Sequence, residues 1–130
     1  ALEFYGKNLG LTFQIADDTL DYNSDLKFFG KRIGKDFLEG KITLPVILLF
    51  QNTNSIEKNK LKNIFKQETR SDDDLKFTLE LIKKYNIINE CYKKAEHFIN
   101  LASNSLTVFK DSDEKKILES LTSFSLERTF

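Results

Sequence analysis

Apolar side chains recur along most of this chain at spacings of three and four residues, the signature of amphipathic helices, and no alternating strand pattern survives a count. A first helix is predicted over residues 1–22. Leu9, Leu11, Phe13, Ile15, Ala16 and Leu20 fill so much of its circumference that it should be buried nearly all round. A connector over 23–42 follows, punctuated by Gly30, Gly34 and Gly40 and carrying Lys27, Lys31, Arg32, Lys35 and Lys41. Thr43 reads as an N-cap with Pro45 in the first turn, launching a buried helix through Val46–Phe50. Asn54 or Ser55 can cap a third helix reaching Glu68, with Ile56, Leu61, Ile64 and Phe65 on its apolar side.

Ser71 followed by Asp72, Asp73 and Asp74 is another start signal, a capping side chain with negative charge at the positive end of the helix dipole. That helix should run to Lys83 and Lys84, where cations belong. The triple Asp looks like a metal cluster on paper, but capping accounts for it. The pattern breaks over 86–89. A long helix is then predicted over 90–109, with Tyr92, Ala95, Phe98, Ile99, Ala102 and Leu106 as its core side. Asp111-Ser112-Asp113-Glu114 opens a final helix whose apolar face carries Ile117, Leu118, Leu121, Phe124 and Leu126. The fold class is all-α, with about six helices.

One stretch does not fit a plain helical protein. In Phe13-Gln14-Ile15-Ala16-Asp17-Asp18-Thr19-Leu20-Asp21-Tyr22, Gln14, Asp17, Asp18 and Asp21 stand at i, i+3, i+4 and i+7, so they share one stripe of an otherwise apolar helix. Like charges at that spacing repel, and burying carboxylates without partners costs several kcal/mol each. Something cationic is expected to meet them. Oxygen-only donors suit a hard divalent ion, and Mg²⁺ typically binds one or two carboxylates together with substrate phosphates. A solvated acidic face is the bland alternative, which the flanking apolar residues oppose. A calcium loop starting at Asp21 fails at Leu26, where glycine is needed, and at Arg32, where glutamate is needed.

Gly6 and Gly10 fall within about 40° of Asp17 in helical projection. Two glycines inside a helix, at about 1 kcal/mol each, indicate a need for space: either a closely packed neighbour or a cavity running down from the carboxylates. The connector beyond is either a solvated loop or a basic segment closing over a polyanion held on the acidic helix.

The 130 residues are enough for one domain at most, and 40% hydrophobic content supports a core. Twenty basic and twenty acidic side chains cancel, leaving no global field to attract nucleic acid or an anionic membrane. No apolar run approaches the ~20 residues needed to span a bilayer, and no signal peptide is visible. The single Cys91 cannot form an internal disulfide, which fits a reducing, cytoplasmic setting. His97, the lone histidine, has no Ser, Cys or Asp placed by sequence to make a triad with it. The chain starts at Ala1 with helical periodicity already running at Leu2, Phe4 and Tyr5, so it is expected to be part of a larger protein.

Gly10-Leu11-Thr12-Phe13-Gln14-Ile15-Ala16-Asp17-Asp18-Thr19-Leu20-Asp21-Tyr22 resembles the second aspartate-rich motif of trans-prenyl diphosphate synthases. The block from Gly30-Lys31-Arg32 to Gly40-Lys41-Ile42-Thr43-Leu44-Pro45 is similar to the segment that follows that motif, and Ala102 to Arg128 is similar to the family's C-terminal helices. The Thr-Leu-Pro block and the tail look most like bacterial octaprenyl and related long-chain synthases. The resemblance implies the C-terminal part of an isoprenoid-synthase helical bundle, forming a single partial domain over 1–130. It implies Mg²⁺ bound by Asp17, with Asp18 and Asp21 acting directly or through water. Gln14, Lys31 and Lys41 would contact the diphosphate of the allylic prenyl substrate, Phe13 would border the site, and Asp36 would support the metal shell.

The implied chemistry joins isopentenyl diphosphate to an allylic diphosphate and repeats the step to a long-chain polyprenyl diphosphate, a quinone side chain. The resemblance also implies a homodimer for the full-length protein. The family's first aspartate-rich motif is absent from this sequence, so the chain is expected to be inactive alone and to need the missing N-terminal half. An apolar surface should be exposed where that half packs. The competing expectation is a non-catalytic helical partner, or regulatory subunit, of an intact synthase.

Overall fold

The computed structural model describes residues 1–23 and 33–127. Among them are seven α-helices: α1 (Leu2–Leu20), α2 (Lys35–Leu38), α3 (Leu44–Asn52), α4 (Ser55–Lys66), α5 (Asp72–Lys84), α6 (Ile87–Ser105) and α7 (Asp113–Glu127). A short 3-10 turn, Leu106–Val108, ends α6, and no strand occurs among the described residues. The short α2, inside the connector, has no sequence periodicity to announce it. The helices group into two compact units, one of residues 1–17 with the chain from Cys91 onward, the other of residues 18–90.

The start signals lie where the sequence places them. Asn54 and Glu57 form a capping box at α4, and Ser71 and Asp74 form another at α5, whose first turn holds the triple Asp. Ser112 accepts the Lys115 N–H at 3.1 Å to start α7. Thr43 is the N-cap residue of α3, but its hydroxyl makes no capping bond there. The break before α6 is two residues, Tyr85 and Asn86, and Asn86 takes a left-handed conformation (φ 53°), which asparagine tolerates better than most side chains. The helix therefore begins at Ile87 and not at residue 90.

In the first unit, Tyr5, Ala102 and Leu106 form a buried cluster against which Leu9 and Leu118 pack. The Tyr5 hydroxyl donates to the Leu118 carbonyl at 2.6 Å and ties α1 to α7. α6 buries Ala95, Ile99 and Ala102 and the turn after it buries Leu106, as the periodicity predicts, while Tyr92 and Phe98 are half-buried.

α1 corrects one expectation. It is buried on one stripe, roughly 100° wide in helical projection, made of Tyr5, Asn8, Thr12, Ile15, Ala16 and Thr19. Leu2, Phe4 and Leu11 stay exposed. The polar members can be buried because their side chains bond within the helix: Asn8 Nδ2 donates to the Phe4 carbonyl at 2.8 Å, and Thr12 Oγ1 to that of Asn8 at 3.0 Å. Thr12 also reaches the Ala95 carbonyl on α6 at 3.4 Å. The glycines lie on the open side. A Cβ at Gly6 or Gly10 would meet nothing within 4 Å, so no close-packed neighbour among the described residues explains them.

α7 corrects another. Its most buried side chains are Thr122 and Ser125, whose hydroxyls donate to the carbonyls of Glu119 and Leu121 at 2.6 and 2.9 Å. Ile117, Leu121 and Phe124 are 62, 39 and 55% exposed. Periodicity reveals that an apolar stripe exists and is silent on which neighbour it faces.

The second unit is built on Phe37, Val46, Leu49, Leu61, Ile64, Leu81, Ile82 and Ile87. Phe65 meets Phe37 edge-on, ring centroids 5.4 Å apart, and Phe50 at 6.3 Å. Ile56, expected on the apolar side of α4, is 83% exposed because it sits about 120° around the helix from the Leu61–Ile64 stripe. Glu57 fastens α4 to the end of α5, accepting Lys84 Nζ at 2.7 Å and the Tyr85 hydroxyl.

Two outcomes follow for stability. Gly34 has φ +84° and a Cβ there would lie 2.7 Å from the Leu75 methyls, so Gly34→Ala should cost about 1–2 kcal/mol in urea unfolding. The Glu57 carboxyl is held below the usual glutamate range, chiefly by the Lys84 hydrogen bond and then by Tyr85. A depressed folded pKa contributes stability that is present above the unfolded value of about 4.3 and is lost as pH falls through the folded one. Glu57→Gln should therefore melt below wild type at neutral pH, and the gap should close on acidification toward about pH 3. Melting curves across that range check it.

Candidate functional site

α1 carries Phe13, Gln14, Asp17 and Asp18, and Asp21 comes directly after its last turn. Gln14 and Asp17 are exposed, while Phe13, Asp18 and Asp21 are half-buried. Phe13, Gln14 and Asp17 belong to the first unit, Asp18 and Asp21 to the second.

Asp21 has a partner that sequence reading missed. Its main-chain carbonyl accepts the Gly34 N–H at 2.9 Å, and its carboxylate takes the Lys35 N–H at 3.1 Å on Oδ1 and the Asp36 N–H at 3.0 Å on Oδ2. Three consecutive amides converge on one residue because Gly34 is left-handed (φ 84°, ψ 19°) and the next residues are right-handed. That alternation turns successive N–H groups inward into an anion-binding nest. Hydrogen bonds to a charged acceptor are worth about 1.5–3 kcal/mol each, so this contact anchors α2 to the end of α1. Each of the two carboxylate oxygens takes one of these amides.

Beyond α2 the chain turns at Gly40 (φ 76°) and presents Lys41. Lys41 Nζ lies 3.0 Å from Glu39 Oε2 and 3.9 Å from Asp36 Oδ1. Its proton is held more firmly than in an ordinary lysine, first by the Glu39 hydrogen bond and charge, then by Asp36 and more weakly by Asp18. A fully charged ammonium thus stands in the field of the acidic group. Arg70 secures this turn from behind. Its guanidinium donates to the carbonyls of Gln67 at 2.7 Å and Leu38 at 3.4 Å, and Nη2 comes within 2.7 Å of where a Cβ on Gly40 would be. Gly40 is needed both for the backbone turn and for that approach.

Tyr22 is buried, and its hydroxyl proton is held far more tightly than in a free phenol, by burial and then by the charges of Asp21, Asp36 and Asp18, with Arg70 opposing. Asp18, Asp21, Asp36, Lys41 and Arg70 are therefore electrostatic neighbours within the second unit. Lys31, with the rest of 24–32, lies outside the described residues.

Among the described residues no three Asp, Glu, His or Cys side chains converge as a ready-made metal site. The carboxylates of the acidic stripe are the hard oxygen donors that Mg²⁺ or Ca²⁺ takes, and a divalent ion here fits as one that shares its coordination with a bound phosphate.

An all-α chain whose acidic helix is followed by a nest-anchored segment carrying a charged lysine belongs to a class of helical proteins that set carboxylates and an ammonium close together in sequence. The comparisons narrow it. A family model described as Polyprenyl synthetase matches residues 1–82, and the chain belongs to that family. It is 32% identical over 127 residues to the all-trans-nonaprenyl-diphosphate synthase (geranyl-diphosphate specific) of Rhodobacter capsulatus, covering 98% of this chain and 38% of that protein. It is 36% identical over 130 residues to a short chain isoprenyl diphosphate synthase of Methanocaldococcus jannaschii, covering 100% of this chain and 39% of the relative. A crystal structure of polyprenyl synthase from Caulobacter crescentus, complexed with calcium and isoprenyl diphosphate, superposes with TM-score 0.86 at 32% identity, over 97% of this chain and 38% of that one. The chain thus spans about two fifths of the length of these relatives, and corresponds to their C-terminal portion. No described helix is long and apolar enough to cross a membrane.

The nest has a direct check. Asp21→Ala should speed amide hydrogen exchange at Lys35 and Asp36 by tenfold or more, the loss of about 1.4 kcal/mol of local stability, while Asp21→Asn should fall between. Unchanged protection in both variants would show that α2 is held by other contacts.

Proposed function

We propose that this chain supplies the second metal- and diphosphate-binding half of a trans-prenyl diphosphate synthase. Asp17, Asp18 and Asp21 provide carboxylates for Mg²⁺, Gln14, Lys31 and Lys41 take the diphosphate of the allylic substrate, and Phe13 borders the site. The observation that supports this most is Lys41, a fully charged ammonium fixed beside Glu39 and Asp36 and sensing Asp18. A diphosphate bound there would meet this ammonium in competition with Glu39.

In the proposed reaction the C–O bond of the allylic diphosphate breaks and the diphosphate leaves with the electron pair. The double bond of isopentenyl diphosphate attacks the allylic carbon, forming the new C–C bond, and a proton is lost to regenerate an alkene. Lys41 and Gln14 act on the departing oxygens, where negative charge grows, and Asp21 keeps the Lys41 segment in place through the nest. Asp17, Asp18 and Asp21 would hold Mg²⁺, which would supply positive charge to the same leaving group. Repetition to a long-chain product, a quinone side chain, is the finer part of the proposal. The Gly40-Lys41-Ile42-Thr43-Leu44-Pro45 block and the tail support it. A homodimeric, cytoplasmic setting belongs to the same reading.

The rest of such an enzyme is the part of the relatives that this chain does not span. Radiolabelled isopentenyl diphosphate, a farnesyl primer and Mg²⁺ should give no elongation with the chain alone. Turnover is expected on adding the N-terminal portion of a relative, and it should fall by about a hundredfold or more with Asp17→Ala or Lys41→Ala. Robust turnover by the chain alone would overturn the division of labour. Turnover indifferent to both substitutions would favour a non-catalytic partner.

A further inference from the structure

Three polar atoms lie buried in the second unit with no hydrogen-bond partner among the described residues: the Tyr22 hydroxyl, the Thr43 hydroxyl and Nε of Arg70. Such orphans are rare in folded proteins, because a buried donor or acceptor left unsatisfied bears its full desolvation cost. All three belong to the surroundings of one turn. Arg70 spends its Nη atoms on main-chain carbonyls, those of Gln67 at 2.7 Å and Leu38 at 3.4 Å, and covers Gly40, while Nε is left over. Thr43 follows Gly40 by three residues, and its hydroxyl makes no capping bond at the start of α3. Tyr22 is 1% exposed and comes directly after Asp21, whose carboxylate takes the Lys35 and Asp36 amides. Its hydroxyl lies in the electric field of both Asp36 and Arg70. The set is complementary to one small molecule that both accepts and donates, since Nε–H only donates and the two hydroxyls can do either.

We propose that an ordered internal water is bound behind the turn that carries Lys41, held by Arg70 Nε and the hydroxyls of Tyr22 and Thr43. The water accepts from Nε–H and from the Tyr22 hydroxyl and donates to Thr43 Oγ1. One molecule thereby satisfies three buried groups, with the number of polar partners that a stable internal water needs. Ions are poorer occupants. A cation would face the Arg70 guanidinium, and an anion would enter the field of Asp21, Asp36 and Asp18. The water gives the guanidinium an attachment on its third nitrogen and fixes its plane over Gly40, which stiffens the turn. Tyr22 and Arg70 are thus positioning residues for Lys41, whatever ligand Lys41 meets.

Tyr22→Phe in the whole chain separates a wet site from a dry one by the sign of its effect. Losing a hydroxyl that has no partner should leave urea unfolding unchanged or favour the folded state. Losing one that holds a water should shift the unfolding equilibrium about fivefold to tenfold toward the unfolded state. Thr43→Val should act in the same direction, and the double variant should lose less than the product of the two factors, because both hydroxyls share one water. The Lys41 N–H donates to the Asp36 carbonyl at 2.9 Å, and its hydrogen exchange should quicken more in Tyr22→Phe than that of Ile82, buried on α5. A crystal structure should place a water oxygen within about 3.2 Å of Arg70 Nε and of at least one of the hydroxyls. The proposal is overturned if Tyr22→Phe is neutral or stabilising, if the two substitutions act independently, or if exchange quickens equally at both amides. It is overturned too if a side chain stands beside Nε, or if wild-type stability climbs with chloride at constant ionic strength, the mark of an anion.

Discussion

The site rests on a carboxylate seated in a nest of backbone amides. α2 has only four residues, too short to persist as a helix unless both ends are held. Asp21 holds its start through the Gly34, Lys35 and Asp36 amides, and Arg70 holds its end through the Leu38 carbonyl. Between these two fastenings the connector has one course, and Lys41 emerges from it with its ammonium beside Glu39 and Asp36. Glycine is required at each bend because each takes a positive φ and each is covered by a side chain from elsewhere, Leu75 over Gly34 and Arg70 over Gly40.

If Asp21 also holds metal as proposed, it would serve two demands that pull in different directions. A metal ligand gains from unused lone pairs, and a structural anchor uses them. A carboxylate has enough acceptor capacity for both, and an amide cannot reproduce its charge. Asp17 is exposed on α1 and Asp21 is half-buried just beyond it, so the aspartates of one motif are not equivalent.

α1 and α7 share a design in which polar residues are buried and other faces stay open. Thr12 on α1 and Thr122 and Ser125 on α7 return their hydroxyls to carbonyls of their own helix, so these small polar groups enter the core with their hydrogen bonds made. The sides left open differ. α1 leaves Gly6 and Gly10 over empty space on the side that carries Gln14 and Asp17. α7 leaves large apolar groups in water. The first arrangement suits a face that a ligand passes, the second a face that protein covers.

Helix starts were legible in the sequence because their causes are local. Asn54 with Glu57 and Ser71 with Asp74 satisfy amides three residues away, and no distant contact can cancel that. The acidic stripe and the glycine-bearing basic segment were legible too, because helical spacing and residue type suffice to place charge on one face. What faced the core was not. Ile117 and Phe124 lie on a sound apolar periodicity and still point to solvent, since period fixes a stripe's existence and only packing fixes its direction. The nest and the Arg70 clamp were equally invisible, because Asp21 finds its amides 13 to 15 residues later and Arg70 finds Leu38 across 32 residues. Local sequence is enough for the long helices, the caps of α4 and α5 and the charges of the site. Tertiary structure alone decided which carboxylate anchors the connector, which side chains meet water and where Lys41 is held, because each depends on atoms brought together only when the chain folds.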